Sequence, residues 1–252
     1  MMPKKKTPSP KRSQPWERGK VAAGFWNDLE NRRKYVRWLG RTLGYDSMSD
    51  WYRLKKQDFH AHYGGGLLAN YYRDSPQLAL SEVFPKYPWR QWLFHSTPQR
   101  FWQDPQNRAD YMEWLGKKLG YKKDSDWYKI SRADFHTNGG GGLLANYFGD
   151  SVFTALREFR PKQEWLPWMF KTVPQGYWKS EDNRRIYLKW LGKQLGFRKN
   201  EDWYRITKDD ITRHNGEGLF IMYYRGSRME VLKDLKPEFK WDAVKLRRFG
   251  RD

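Results

Sequence analysis

NRRKYVRWLGRTLGY, residues 31–45, decides the fold. Tyr35, Trp38, Leu39 and Leu43 recur at spacings of three and four, which puts them on one face of a helix. Gly44 then stops that helix in a left-handed cap, and the ring of Tyr45 folds back over its last turn. The same frame returns as NRADYMEWLGKKLGY at 107–121 and NRRIYLKWLGKQLGF at 183–197. Internal periodicity of this kind takes precedence over local pattern.

The period is 76 residues and needs no gaps: Trp26, Trp102 and Trp178 correspond, as do Trp38, Trp114 and Trp190. Trp51, Trp127 and Trp203 form a third series, and Trp89, Trp165 and Trp241 a fourth. The chain of 252 residues therefore divides into a tail, 1–24, and three repeats, 25–100, 101–176 and 177–252, with net charges of +6, +5, +2 and +7.

Local signals make each repeat all-α, with about four helices. Asp28, Asp104 and Ser180 stand where an N-cap belongs, and Pro105 suits a first helical position. Gly40, Gly116 and Gly192 lie inside the first helix, where glycine costs about 1 kcal/mol. Their recurrence predicts a second helix crossing closely there. Ser131 with Asp134, and Thr207 with Asp210, have capping-box spacing, so these acids read as caps rather than catalysts. Ser75, Ser151 and Ser227 open a further helix that Pro85, Pro161 and Pro237 close. No run alternates as a strand would. The repeats are expected as beads joined near 95–101 and 171–177.

The tail carries Lys4, Lys5, Lys6, Lys11 and Arg12 among Pro and Ser, a mixture that cannot form a core. It reads as a disordered basic arm, suited to nucleic acid or to nuclear import.

DFHTNGGGGLLANYF, residues 134–148, resembles a phosphate cradle at first sight. A P-loop needs a following Lys and Ser or Thr, and a dinucleotide fingerprint needs a preceding parallel strand. Neither is present. Only two glycines of the run recur in every repeat, Gly64, Gly140 and Gly216, then Gly66, Gly142 and Gly218. The first is expected to end a helix in the left-handed region, and the second to let the next helix start close to a neighbour. What remains for function is a backbone N–H cluster that could meet a phosphate.

Other chemistry is poorly supported. With no cysteine, disulfides, thiol catalysis and cysteine-based zinc sites are excluded. Asp58, His60 and His62 do not recur as a set, so no metal site is assigned. No catalytic residues and no cofactor are assigned. No apolar run approaches the roughly 20 residues of a membrane span.

The formal charge of +20 favours a polyanionic partner. Basic residues recur in register: Arg32, Arg108 and Arg184; Arg41, Lys117 and Lys193; Arg53, Lys129 and Arg205. Lys122 and Lys123 in the second repeat match Arg198 and Lys199 in the third, and Arg247 and Arg248 add charge near the end. Such groups neutralise phosphates without reading bases. A helix-turn-helix reading places Glu82, Glu158 and Asp234 on the recognition helix, where acids oppose phosphate. Tandem tryptophan repeats resemble Myb-type DNA-binding modules in kind. Those repeats are shorter, with evenly spaced tryptophans, so no residue role carries over.

The expectation is a non-enzymatic nucleic-acid-binding protein. DNA comes first, bound architecturally or with weak sequence specificity, and RNA second, through phosphate contacts. The setting would be the nucleus or another nucleic-acid-containing intracellular or viral compartment. The alternative is a structural or protein-interaction component of a ribonucleoprotein or virion.

Overall fold

A computed structural model describes residues 13–249. Among the described residues every regular element is a helix and no strand occurs. None of these helices is long and apolar enough to cross a membrane. The chain divides into two compact units, Met1–Gln103 and Asp104–Asp252.

In the first unit, α1 (Leu29–Thr42) starts where the Asp28 carboxylate accepts the Glu30 N–H at 2.8 Å. It buries Tyr35, Val36, Leu39 and Gly40. Its end is a Schellman motif: Gly44 has φ 71°, its N–H reaches Arg41 O at 3.2 Å, and the Tyr45 N–H reaches Gly40 O at 2.9 Å. The ring of Tyr45 packs edge-on against Trp51 at 5.3 Å.

Trp51 sits on a 3-10 turn, Asp50–Arg53, and its indole lies directly on Gly40. The close crossing expected at this glycine is therefore a tryptophan ring rather than a second helix. Any Cβ at Gly40 would overlap that ring.

Three short helices follow, α2 (Lys56–Ala61), α3 (Gly65–Tyr72) and α4 (Pro76–Val83). Ser75 caps α4 by accepting the Leu78 N–H at 3.3 Å. The glycine corner joins α2 to α3, and here the structure corrects both sequence expectations. Gly64 has φ −101°, and the left-handed residue is its predecessor, Tyr63, with φ 66°. Gly64 is required because a Cβ would overlap the Tyr35 phenol, whose hydroxyl donates to His62 O at 3.0 Å. Gly66 faces open space.

The tail expectation fails for residues 13–24. Pro15–Arg18 forms a 3-10 turn, and Trp16 is only 2% exposed. Its ring packs on Tyr35 at 5.3 Å, Trp38 at 5.5 Å and Trp26 at 6.0 Å. Burying so large a ring stabilises by about 3 kcal/mol, which offsets part of the roughly 1–2 kcal/mol per residue that ordering the segment costs. Trp16 is in register with Trp92 and Trp168, so all 15 tryptophans of the chain fall into five series.

The second unit runs through the same plan twice. α5 (Pro105–Lys118), α6 (Arg132–Thr137), α7 (Gly141–Phe148) and α8 (Val152–Phe159) are followed by α9 (Glu181–Gln194), α10 (Lys208–Arg213), α11 (Glu217–Met222) and α12 (Arg228–Leu235). A last helix, α13 (Ala243–Phe249), closes the described chain. The Schellman bonds recur at Gly120 and Gly196. A Cβ on Gly116 would stand 2.5 Å from Trp127 Cζ2, and one on Gly192 2.6 Å from Trp203 Cζ2. The capping boxes form as expected: Ser131 Oγ accepts from Asp134 N at 3.3 Å and Thr207 Oγ1 from Asp210 N at 3.0 Å.

Packing in this unit crosses the 176/177 boundary. Phe170 lies 4.8 Å from Tyr128 and 5.9 Å from Phe153, within the second repeat. Two residues earlier, Trp168 packs forward on Tyr187 and Trp190, each at 5.3 Å, and stacks on Trp178 at 6.4 Å. The 3-10 turn Pro167–Met169 and the residue that caps it, Phe170, thus anchor in both. In the third repeat the position of Phe170 is taken by Leu246, which is buried, while that of Trp168 is taken by Val244, which is exposed.

Candidate nucleic-acid interface

The basic residues that recur in register separate into two groups. Arg32 belongs to the interior. Its Nε and Nη2 meet the Glu82 carboxylate at 2.8 and 3.1 Å, and Nη1 donates to Trp26 O at 2.7 Å and Asn27 O at 3.1 Å. The Tyr72 hydroxyl donates to the same carboxylate at 2.5 Å. Burial alone would push the Glu82 carboxyl up, but the bonds from Arg32 and Tyr72 outweigh it and hold it below its ordinary value. The arrangement returns as Arg184 with Asp234 and Tyr224. Arg108 pairs with Glu158 at 2.5 Å, and there Phe148 supplies no hydroxyl. These acids are the ones that seemed to oppose phosphate on a recognition helix; each is matched by an arginine of the same fold.

The other group sits at the far end of the first helix. Arg41 lies nine residues beyond Arg32, about 13.5 Å along the axis. Arg41, Lys117 and Lys193 are exposed, and among the described residues none of them makes an ion pair. The loop after the helix is gathered by one carboxylate in each repeat. Asp50 accepts the N–H groups of Asp46 at 3.1 Å and Ser47 at 2.8 Å. Asp126 takes those of Lys122 and Lys123 at 3.0 and 3.2 Å, and Asp202 those of Arg198 and Lys199 at 2.9 and 3.0 Å. Backbone N–H donation from Lys122, with help from Lys129 and Lys123, lowers the Asp126 carboxyl to about 2. The recurring aspartate is thus a loop anchor, and in the second and third repeats the anchored residues are cations.

The same carboxylates also meet the third basic series. Arg53 pairs with Asp50 at 2.6 Å, Lys129 with Asp126 at 3.1 Å and Arg205 with Asp202 at 3.0 Å. The three cationic side chains remain 66%, 71% and 59% exposed, so the pairs are weak and exchangeable. Because Trp51 seats on Gly40, Arg53 and Arg41 lie at the same end of the first helix. A fourth in-register series escaped the sequence reading: Lys56, Arg132 and Lys208, all exposed, each opening the second helix of its repeat. The period alone would have revealed it.

Arg247 and Arg248 are exposed in the last turn of α13, where cations suit the helix dipole. Lys4, Lys5, Lys6, Lys11 and Arg12 lie outside the described residues.

The histidines have local explanations. His62 Nδ1 lies 2.8 Å from Asp58 O, and His214 Nδ1 lies 2.6 Å from Asp210 O. Asn138 Nδ2 makes the equivalent bond to Asp134 O at 2.7 Å, which accounts for the interchange of His and Asn. His60 and His136 lie against Gly65 and Gly141, where a Cβ would come within 2.7 and 2.6 Å of the ring. In the third repeat both partners differ, Thr212 and Glu217. The extra glycine of the first two repeats makes room for a histidine.

Comparison with known protein families, characterised proteins and solved structures finds no match to this chain.

Proposed function

We propose that this chain is a non-enzymatic nucleic-acid-binding protein built from three tandem copies of one helical module. Each module would contact phosphates through the cations at the C-terminal end of its first helix, the loop beyond it and the 3-10 turn. DNA and RNA are both served by this chemistry. The nucleus, or another compartment rich in nucleic acid, is the setting that suits it.

One observation carries the reading. Arg41, Lys117 and Lys193 recur at one exposed position, and among the described residues no acid pairs with them. Cations placed in register without a fold partner are what a repeating polyanion would use. A salt titration with duplex DNA, duplex RNA and single strands tests it. Affinity should fall linearly on a log–log plot as salt rises. Absence of binding to all of them at about 50 mM salt, where phosphate contacts are strong, sinks the proposal.

A protein-assembly reading is favoured by a different observation. Ile186, Ile221 and Met222 are 53%, 53% and 76% exposed in the third repeat. The first two repeats carry Lys34 and Asp110, Ala69 and Ala145, Asn70 and Asn146 at those positions. Sedimentation of wild type against I221A/M222N separates this role, because only the assembly reading expects the variant to lose a complex.

A further inference from the structure

Each repeat turns one large aromatic ring toward solvent at the same frame position. Tyr71, Tyr147 and Tyr223 are 39%, 42% and 37% exposed. Their immediate successors, Tyr72, Phe148 and Tyr224, are buried and are explained by packing. The exposed rings have no such explanation. The two residues before them change from Ala69–Asn70 and Ala145–Asn146 to Ile221–Met222, while the tyrosine stays.

Each ring carries a guanidinium. Arg32 lies 5.3 Å from the Tyr71 centroid, Arg108 5.5 Å from that of Tyr147, and Arg184 5.7 Å from that of Tyr223. Support of the arginine does not account for the tyrosine. Arg32 is already fixed by two bonds to Glu82 and two to backbone carbonyls, and Arg184 by an equivalent set. Nor does the phenol hydroxyl, whose bond from Tyr71 to Asn27 is specific to the first repeat. The recurring element is the ring itself, held against a fixed cation and open to solvent. Exposed Arg73 and Arg225 follow two residues later, close enough in sequence to meet a phosphate beside a base.

We infer that Tyr71, Tyr147 and Tyr223 are stacking platforms for unpaired bases of single-stranded nucleic acid. The inference rests on the nucleic-acid reading above and narrows it. Base–aromatic stacking tolerates any sequence, and an adjacent arginine adds cation–π attraction. A duplex keeps its base faces stacked inside, so it cannot use these rings. Three platforms on one chain give avidity to a strand long enough to reach more than one.

The test compares wild type with Y71A/Y147A/Y223A on oligothymidine, oligouridine and a blunt duplex of equal length. The triple variant should lose roughly 100-fold on single strands, from several-fold per ring. Its duplex affinity should stay within about threefold, because phosphate contacts are untouched. Tryptophan at the same positions should restore single-strand binding. Circular dichroism and the urea midpoint confirm that the variants fold. Ultraviolet crosslinking of wild type to oligouridine gives a readout independent of substitution, with crosslinks expected on the peptides holding these tyrosines. Wild-type single-strand affinity in the alanine variant, or crosslinks confined to other peptides, overturns the inference and leaves the nucleic-acid reading standing. Failure of wild type to bind any nucleic acid defeats that reading itself.

Discussion

Gly140 and Gly142 stand two residues apart, and both positions are glycine in every repeat. A Cβ on Gly140 would overlap the Tyr111 phenol, whereas Gly142 meets nothing nearer than Asn146 Nδ2 at 4.0 Å. Recurrence alone does not say why a residue is kept. One of these glycines is obliged by packing, and the fold makes no demand on the other. Arg32 and Arg41 differ in the same way: one is bound to Glu82 and two carbonyls, the other is exposed without an acid partner among the described residues.

The glycine pair offers the largest effect. Gly140→Ala should cost about 3 kcal/mol, because the methyl must displace a buried ring. Gly142→Ala should be neutral or stabilise by about 0.5 kcal/mol, through the unfolded chain. Urea denaturation of both variants measures the gap. Equal costs would show that the corner is organised differently.

The corner also shows what the sequence could and could not disclose. The period was legible by aligning the chain on itself, and helical class and caps because each depends on neighbours within a few residues: Asp28, Ser131 and Gly44 act locally. The obligation on Gly140 was not, because its partner Tyr111 lies in another helix. The same holds for Arg32, whose acid is 50 residues away. As a sequence, Arg32 and Arg41 are equally basic and equally periodic. The burial of Trp16 was missed for a different reason: its surroundings are rich in Pro, Ser and Lys, and only the 76-residue register links it to Trp92 and Trp168.

The interior arginines come next in size. Arg184→Ala removes a pair whose side chains are 17% and 12% exposed and leaves the Asp234 carboxylate without its cation, held by the Tyr224 hydroxyl. The expected loss is about 2 kcal/mol. Arg108→Ala should cost about 1 kcal/mol, as for a more solvated charged pair, since Glu158 is 47% exposed and stays hydrated when its partner is lost. Thermal melts of the two variants sharpen the contrast between repeats.

The Asp234 pair also fixes the sign of an acid effect. Burial would push its carboxyl up, yet Arg184 and Tyr224 hold it below the ordinary value. A depressed carboxyl stabilises the fold above its unfolded pKa, about 4. That contribution is lost as pH falls through the folded value. Stability of wild type should therefore drop on acidification below the unfolded pKa, and Asp234→Asn should flatten that part of the profile. Parallel profiles would place the acid sensitivity elsewhere.

The smallest effect on stability is expected from R41A/K117A/K193A. These side chains are exposed and free of ion pairs among the described residues, so stability should stay within about 0.5 kcal/mol per site. On the nucleic-acid proposal their effect falls on binding. Removing one cation from a phosphate reduces the salt slope by about 0.9 on duplex DNA, so the slope of the triple variant should fall by up to about three if all three engage. Arg108→Ala supplies the counterpart: lower stability with an unchanged slope. The two variants thus exchange roles, one moving the melt and the other the salt dependence. If R41A/K117A/K193A left the slope unaltered while Arg108→Ala reduced it, the interior arginines would be the phosphate ligands, and binding would have to open the ion pairs that Arg32, Arg108 and Arg184 make in the folded chain.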